Sequence, residues 1–566
     1  MKKFLTNKIV IASTIFGILY LIGWYLLLPR LSLHSFGFLF YLSLLITYVM
    51  FFVLRMNREK QIEKYKDKKC RKLRYDNNTL FKVIKVSAQE KFNNVYYSVR
   101  SIILVIGSVL IFGFLNFVIG SKLFRATDYY SQLEIKEESI SEFEEIYEFG
   151  NEEVMLPIID KELAFKLAEA KLADYGAQFE ISFDNFTLIS VERNGKPELI
   201  RVAPLEYGSL FVSLSKMTQG TIGYVEVNVV TKEAKLVKFE DGLKYMPTAK
   251  FGYDLERHIY SKYPSAMYDE TNFEIDDKGN PYWVIPTYKP EIGLYGGKKN
   301  NSVILCNAIT GELNRYELGK EPSWVDRVYD ETIIEAQATN ALRYKHGFMN
   351  VHFGAKNEVL QVSDGYNYFL RGGHTYYVSC ITSPSESDQT SVGFLCVDLK
   401  TGHATKYLIP GITEMRAREI AMQDERVKAQ SLTATWPILI NYNGTPTYFV
   451  VLKNSVQAQK IVFINVSDGS LVAMGNNINE AMLEYNKLLA SNGNDTTLDE
   501  VITGKVTRIR DTGTTIEFTV ENQEGYFVVN VDLSLDARFL AVGDTVKMTV
   551  KKFDGYKFVT SIEKLN

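Results

Sequence analysis

Ser213-Leu214-Ser215-Lys216 has the SxxK spacing that sets a lysine beside a nucleophilic serine, and Lys400-Thr401-Gly402 supplies the KTG that completes such acyl-transfer sites. That chemistry needs the serine at the start of a buried helix, whereas Leu210–Lys216 alternates as a strand does. The Lys-Thr-Gly also falls at a turn that recurs along the chain with other residues in it, and no SxN lies suitably between the two motifs. Six histidines are present, His34, His258, His346, His352, His374 and His403, but no pair has HExxH spacing and there is no Cys-x-x-Cys for zinc. Gly-rich phosphate loops are absent, and Asp276-Asp277-Lys278-Gly279-Asn280 reads as a solvated turn rather than a cation site. No catalytic residue, metal or cofactor is expected.

What remains is contact chemistry. Tyr282, Trp283, Tyr376, Tyr377 and Tyr448 lie beside turns, where a strand-edge side chain can reach a partner, and Tyr and Trp dominate binding hot spots. Neighbouring strand residues face opposite ways, so one member of Tyr282/Trp283 and one of Tyr376/Tyr377 should be buried and the other exposed. Cys380 and Cys396 flank a polar loop around Ser383–Thr390 whose centre is nearly their midpoint. Placed opposite each other on antiparallel strands, their Cα atoms would be ~4.5–5.5 Å apart, within reach of a disulfide. Cys306 is then left as a small core residue.

The elements that must position these residues divide by charge. Residues 1–125 hold 20 Lys/Arg against 5 Asp/Glu, the remaining 441 hold 44 against 62, and the whole 566-residue chain carries a net charge of −3. With 13% aromatics the chain is not disordered, and 14 Pro and 4 Cys exclude collagen-like and disulfide-rich classes. Ile9–Leu28, Leu31–Leu54 and Ser101–Ser121 are uncharged apart from the titratable His34, and each matches the ~20 residues needed to cross a bilayer. Three transmembrane helices are therefore expected in 1–125, joined by a basic loop, 55–100, that contains Cys70. Its 14 Lys/Arg place that loop and the N-terminus in the cytoplasm and residues 126–566 outside.

After an acidic stalk at 126–156, one order of elements recurs over 157–250, 251–325, 326–410 and 411–490: a helix, a turn and strand, then a second turn. The second turns are Asn228–Glu233, Asn307–Glu312, Asp398–His403 and Asn465–Ser470. In each, Gly, or Lys232 in its place, should take positive φ while Asn or Asp accepts turn hydrogen bonds. These α+β units resemble the PepSY domain, and the turns Asn307–Glu312 and Asp398–His403 carry the likeness best. The resemblance implies a non-catalytic binding or inhibitory module of the bacterial envelope and transfers no active site.

The tail, 498–566, reads as five short strands with a helical element after the third, which resembles an OB-fold barrel. Such barrels stack nucleic-acid bases on aromatics, and Phe518, Tyr526, Phe527, Tyr556 and Phe558 are available. With 9 Lys/Arg against 11 Asp/Glu in 499–566, the charge has the wrong sign for that partner.

The sequence thus predicts a multi-pass cell-membrane protein displaying an α+β repeat ectodomain and a small all-β barrel. It would act as an envelope scaffold or regulator engaging a protein, peptide or cell-wall polymer beside the lipid bilayer. A hydrolase or protease with a hidden site, or a subunit of a membrane transport or secretion complex or homo-oligomer, is the alternative.

Overall fold

The computed structural model describes residues 2–50, 52–53, 103, 106–108, 110–139, 143, 154–354, 356–385, 390–454, 457–491, 499–511, 515–531, 533–553 and 556–565. β-Structure dominates: four largely antiparallel sheets follow one another along the chain, and a closed five-stranded barrel ends it.

This corrects the expectation of a membrane α-helical region carrying α+β repeats. Among the described residues no single helix is long and apolar enough to cross a membrane. The first apolar stretch lies within the helix Lys2–Leu27, whose apolar part is Ser13–Leu27, and the helix stops where Leu28 takes a φ of 41° before Pro29. The second starts only at Phe36, after Leu31 has given its N–H to the Pro264 carbonyl, and its continuous described part is Phe36–Met50. In the third, Ile106–Ile119 and Lys122–Tyr130 are separate helices bent 47° apart. The bend packs against a hairpin of the second sheet: a Cβ on Gly120 would lie 3.2 Å from the Ile292 carbonyl oxygen, and Tyr129 donates its hydroxyl back to Gly120. The second and third uncharged runs are therefore interrupted by turns of the chain within the described residues. The basic loop 55–100, with Cys70, lies outside the described residues.

The first sheet comprises Phe179–Ile181, Thr187–Arg193, Lys196–Tyr207, Thr221–Asn228 and Ala234–Leu243. The second comprises Asn272–Ile275, Pro281–Ile292, Gly296–Asn307 and Leu313–Glu317. Asn367–Arg371, His374–Thr382, Thr390–Asp398 and Ala404–Tyr407 form the centre of the third. The acidic segment 126–156 is woven into that third sheet: Ile135–Glu138 pairs in parallel with Ala404–Tyr407, and Val154–Met155 pairs with Asn367–Arg371. The fourth sheet has the path Thr433–Ala434, Thr445–Lys453, Ala458–Asn465 and Val472–Gly475, with Ile438–Tyr442 also on Thr445–Lys453.

A capped helix introduces each sheet. Asp160, Asp254 and Asp330 accept the first free N–H groups of Lys161–Ala170, Leu255–Lys262 and Glu331–Arg343, and Thr413 does so for Glu414–Ala421. The second turns close as their residue types dictate in the first three sheets. Asn228, Asn307 and Asp398 each accept two backbone N–H groups through the side chain, and Lys232, Gly311 and Gly402 stand at φ of 67°, 75° and 74°. The fourth differs. Its closing bond runs from Asn465 N–H to the Leu471 carbonyl, one residue later than in its sisters, and Gly469 is not among the positive-φ residues.

The barrel runs Asp499–Asp511, Thr515–Val520, Tyr526–Asn530, Tyr556–Lys564 and Thr545–Phe553 around its wall, with Leu535–Arg538 as a helical turn after the third strand in sequence. Phe518 and Phe527 stack at 5.5 Å inside it, so these aromatics are core. Phe558 is buried with Val528 against Leu483 of the helix Ile478–Ser491, which ties the barrel to the fourth sheet.

Candidate functional site

Trp283, Tyr377 and Tyr448 are fully buried, which removes them as partner anchors. Trp283 donates its indole N–H to the Tyr245 carbonyl at 2.8 Å, and Tyr448 donates its hydroxyl to the Ile412 carbonyl at 2.8 Å. Tyr282 and Tyr376 are the outward members of their pairs, yet both are half-covered by aromatic neighbours. Tyr282 lies 4.8 Å from Trp324 and Tyr376 stacks on Phe369 at 5.1 Å, so neither presents a free ring.

No disulfide joins the cysteines among the described residues: Cys306, Cys380 and Cys396 are buried thiols. Cys380 sits opposite Phe394 and Cys396 opposite Val378, so the two thiols are diagonal neighbours two residues out of step. The ladder is centred one residue short of the cysteine midpoint, and it shifts again at Ile381/Thr382.

Leu210–Lys216 is a helix, not a strand, capped by the Ser209 hydroxyl accepting the Val212 N–H. Ser213 is buried and donates to the Thr248 carbonyl, Lys216 bonds Gln178, and Lys400 bonds the Ser323 carbonyl, so the three groups serve separate structural contacts. Asp276 spends its carboxylate on Lys278, on the Asn280 backbone and on the Asn280 amide, closing a turn. Among the described residues no group of three or more His, Cys, Asp or Glu could hold a metal ion.

A buried ionic junction, which the sequence did not announce, joins the first three sheets. Glu274 accepts the N–H groups of Asp326 and Arg327 at 2.9 and 3.0 Å, while Asp326 accepts the Thr375 hydroxyl at 3.0 Å and the Ser190 N–H at 2.5 Å. The Arg327 guanidinium lies 4.3 Å above the Tyr368 ring and 3.0 Å from Glu331. Burial raises both Glu274 and Asp326 above the usual carboxylate range, and the charge of Asp326 adds to the effect on Glu274. Burial, then the Asp330 and Glu331 charges, pushes Glu270 up to about 7, and burial, then Arg201, brings Lys161 down to about 8. The Glu274 and Asp326 carboxylates are spent on backbone and hydroxyl donors of three sheets. This cluster welds the sheets together. A second weld joins the third and fourth: Glu414 accepts the Cys380 N–H at 2.6 Å, and the Cys380 sulfur lies 3.1 Å from the Tyr448 hydroxyl.

Two cavities stand out among the described residues. The smaller, about 350 Å³, lies where the Pro29–Ser35 turn meets the second sheet, and its cations are already engaged, Arg30 with Glu256 and Lys298 with Asp269. The larger, about 880 Å³, belongs to the fourth sheet. Its walls are Ile412, Arg416 and Ile420 on one side, Glu484 and Leu488 on the other, and Val472, Ala473 and Met474 between them. Arg416 is held by Glu419 at 2.9 Å, and the Arg426 guanidinium beside Asp424 holds that rim carboxyl down to about 2.

The helices forming these walls cover opposite faces of the sheet. Tyr485 of Ile478–Ser491 stacks on Phe463 and meets the Thr447 hydroxyl, residues of one face. Tyr448, on the other face, meets Ile412 at the entry to Glu414–Ala421. Successive strand residues point to alternate faces, so Val472, Ala473 and Met474 can all border one cavity only if it runs along the strand's edge. Val472–Gly475 is the terminal strand of its sheet. The fourth turn, with its extra residue, contributes Gly469 and Ser470 to the same cavity. The spacing from Asn465 to Gly469 matches that of the sister turns, so the sequence carried no signal for this place.

No protein-family model matches the chain, and no curated protein matches it. Among solved structures, one described as "Structural mimicry for functional antagonism" is 12% identical, covering 24% of this chain and 89% of that one, with a TM-score of 0.11. A point mutant of the Synechocystis apocarotenoid oxygenase is 9% identical, covering 69% of this chain and 62% of its own, with a TM-score of 0.15. The chain thus spans under two thirds of the oxygenase's length, and similarities this low assign neither fold nor activity.

Proposed function

We propose that the chain is a non-catalytic binding protein, a scaffold or regulator, whose fourth sheet receives the ligand in the cleft along Val472–Gly475. The observation that carries this reading is the cleft itself: about 880 Å³, walled by helices from both faces of the sheet and mixing apolar and charged lining residues. The welds support it. Glu274, Asp326 and Glu414 fix the four sheets to one another, which suits a rigid platform that presents one surface. The likeness of Asn307–Glu312 and Asp398–His403 to PepSY turns favours a protein, peptide or wall polymer of the bacterial envelope as the ligand. Replacing Ile420 with Asp places a charge on the cleft wall. Ligand capture by the full chain should then fall at least tenfold with the thermal midpoint kept within a few degrees. Undiminished capture would remove the cleft from the function.

A further inference from the structure

The cleft's floor is a strand edge, and the phase of its backbone can be read from the turn that precedes it. Asn465 donates to the Leu471 carbonyl, and the antiparallel register then pairs Ile464 with Val472, Phe463 with Ala473, Val462 with Met474 and Ile461 with Gly475. In such a ladder hydrogen-bonded and non-bonded pairs alternate. Ala473 and Gly475 therefore exchange bonds with Ala458–Asn465, and the N–H and C=O groups of Val472 and Met474 point away from it. Val472–Gly475 has no second strand partner, and no turn or side-chain bond reaches the backbone of Val472 or Met474 among the described residues.

Unpaired strand edges are templates for another chain, and folded proteins blunt them with charge, proline or a covering element. Val472, Ala473 and Met474 carry neither charge nor proline and border the cleft, and the helix Ile478–Ser491 closes over only the Gly475 end, where a Cβ would lie 2.3 Å from the Ala481 nitrogen. The space between the helices that wall the cleft is where a further strand would lie.

We propose, resting on the cleft as the binding site, that the ligand is an extended polypeptide of a partner that adds to Val472–Gly475 as the next strand of the sheet. Donors and acceptors repeating at strand spacing are matched by a polypeptide backbone of the same spacing, which is the basis of strand addition. Side chains of the added strand would alternate between two walls. Those on one face meet Ile412 and Ile420, which favours apolar residues. Those on the other meet Leu488 with Glu484 beside it, which favours an apolar or basic residue.

The test uses the full chain and a displayed library of random twelve-residue peptides as probe. Enriched peptides should show period-two apolar patterning. N-methylation of the peptide backbone should cost at least tenfold in affinity at alternate positions and little at those between, because only alternate N–H groups face the sheet. Val472→Pro removes an outward N–H at the first residue of the strand, where proline is tolerated, and should also cost at least tenfold without moving the thermal midpoint. Failure of the two readings is distinguishable. Peptides lost on Ile420→Asp but indifferent to Val472→Pro and to N-methylation would keep the cleft and overturn strand addition. Peptides indifferent to all three changes, or no enrichment at all, would overturn both. A dimer in light scattering that Val472→Pro converts to monomer would make the occupant a second copy of this chain and overturn a peptide partner.

Discussion

The Cys380 sulfur lies 3.1 Å from the Tyr448 hydroxyl, and through this contact the third sheet meets the fourth. Both groups are buried, and the same hydroxyl donates to the Ile412 carbonyl at the mouth of the cleft. Tyr448→Phe strands that carbonyl, which should destabilise the fold by ~1–3 kcal/mol. Denaturant midpoints measure it, and a neutral outcome would show that the hydroxyl does not hold the two sheets together.

Trp283 and Tyr282 are adjacent and differ in burial, so they should differ in cost. Trp283→Ala opens a large cavity in a packed core and should cost ~3–5 kcal/mol. Tyr282→Ala loses one aromatic contact with Trp324 and should cost ~0.5–1.5 kcal/mol beyond its buried area. Equal losses would mean that the two side chains are not on opposite faces.

The thiols should be silent in the folded protein. Burial pushes Cys306 up to about 12 and raises Cys380 well above the ordinary thiol range. A thiol reagent should therefore label these two and the buried Cys396 only after unfolding, and reductant should leave the melting curve unchanged. A Cys380–Cys396 crosslink found by peptide mapping would contradict the register.

Glu270, raised to about 7 mainly by burial, holds its proton more tightly in the folded chain than in the unfolded one. Between the ordinary value of 4.5 and about 7, folding takes up a proton, so this group's contribution to stability falls as pH rises. Glu270→Gln should flatten that part of the profile, leaving the same-signed slope of Glu274 and Asp326. Unfolding at pH 5 and at pH 7.5 compares the two, and identical slopes would show that Glu270 is not held protonated.

Parts of the molecule were legible because they depend on local rules. Asp160, Asp254 and Thr413 are residue types that cap helices and do so here, and the turn residues Asn307 and Gly311 close the turn that their types require. The five-stranded barrel was legible too, because its alternation marks both faces of each strand. Other parts depend on long-range packing. The uncharged run 101–121 gives no sign that Gly120 will bend against Ile292, and the alternation of Leu210–Lys216 concealed a helix whose marker was the Ser209 cap. The cysteine register turned on a one-residue shift in the loop. The welding carboxylates reach partners 34 to 136 positions away along the chain, such as Cys380 for Glu414 and Ser190 for Asp326, where spacing carries no signal. The open edge was invisible for a similar reason, since an absent neighbour leaves no mark on the strand that lacks it.

Residue-resolved hydrogen–deuterium exchange along Val472–Gly475 tests the central claim most directly. In the free chain the amides of Val472 and Met474 should exchange near unprotected rates while those of Ala473 and Gly475 are slow, and a bound peptide should slow the first two. Uniform protection of all four in the free chain, or no change at Val472 and Met474 when a peptide binds, would contradict a cleft built along an open strand edge.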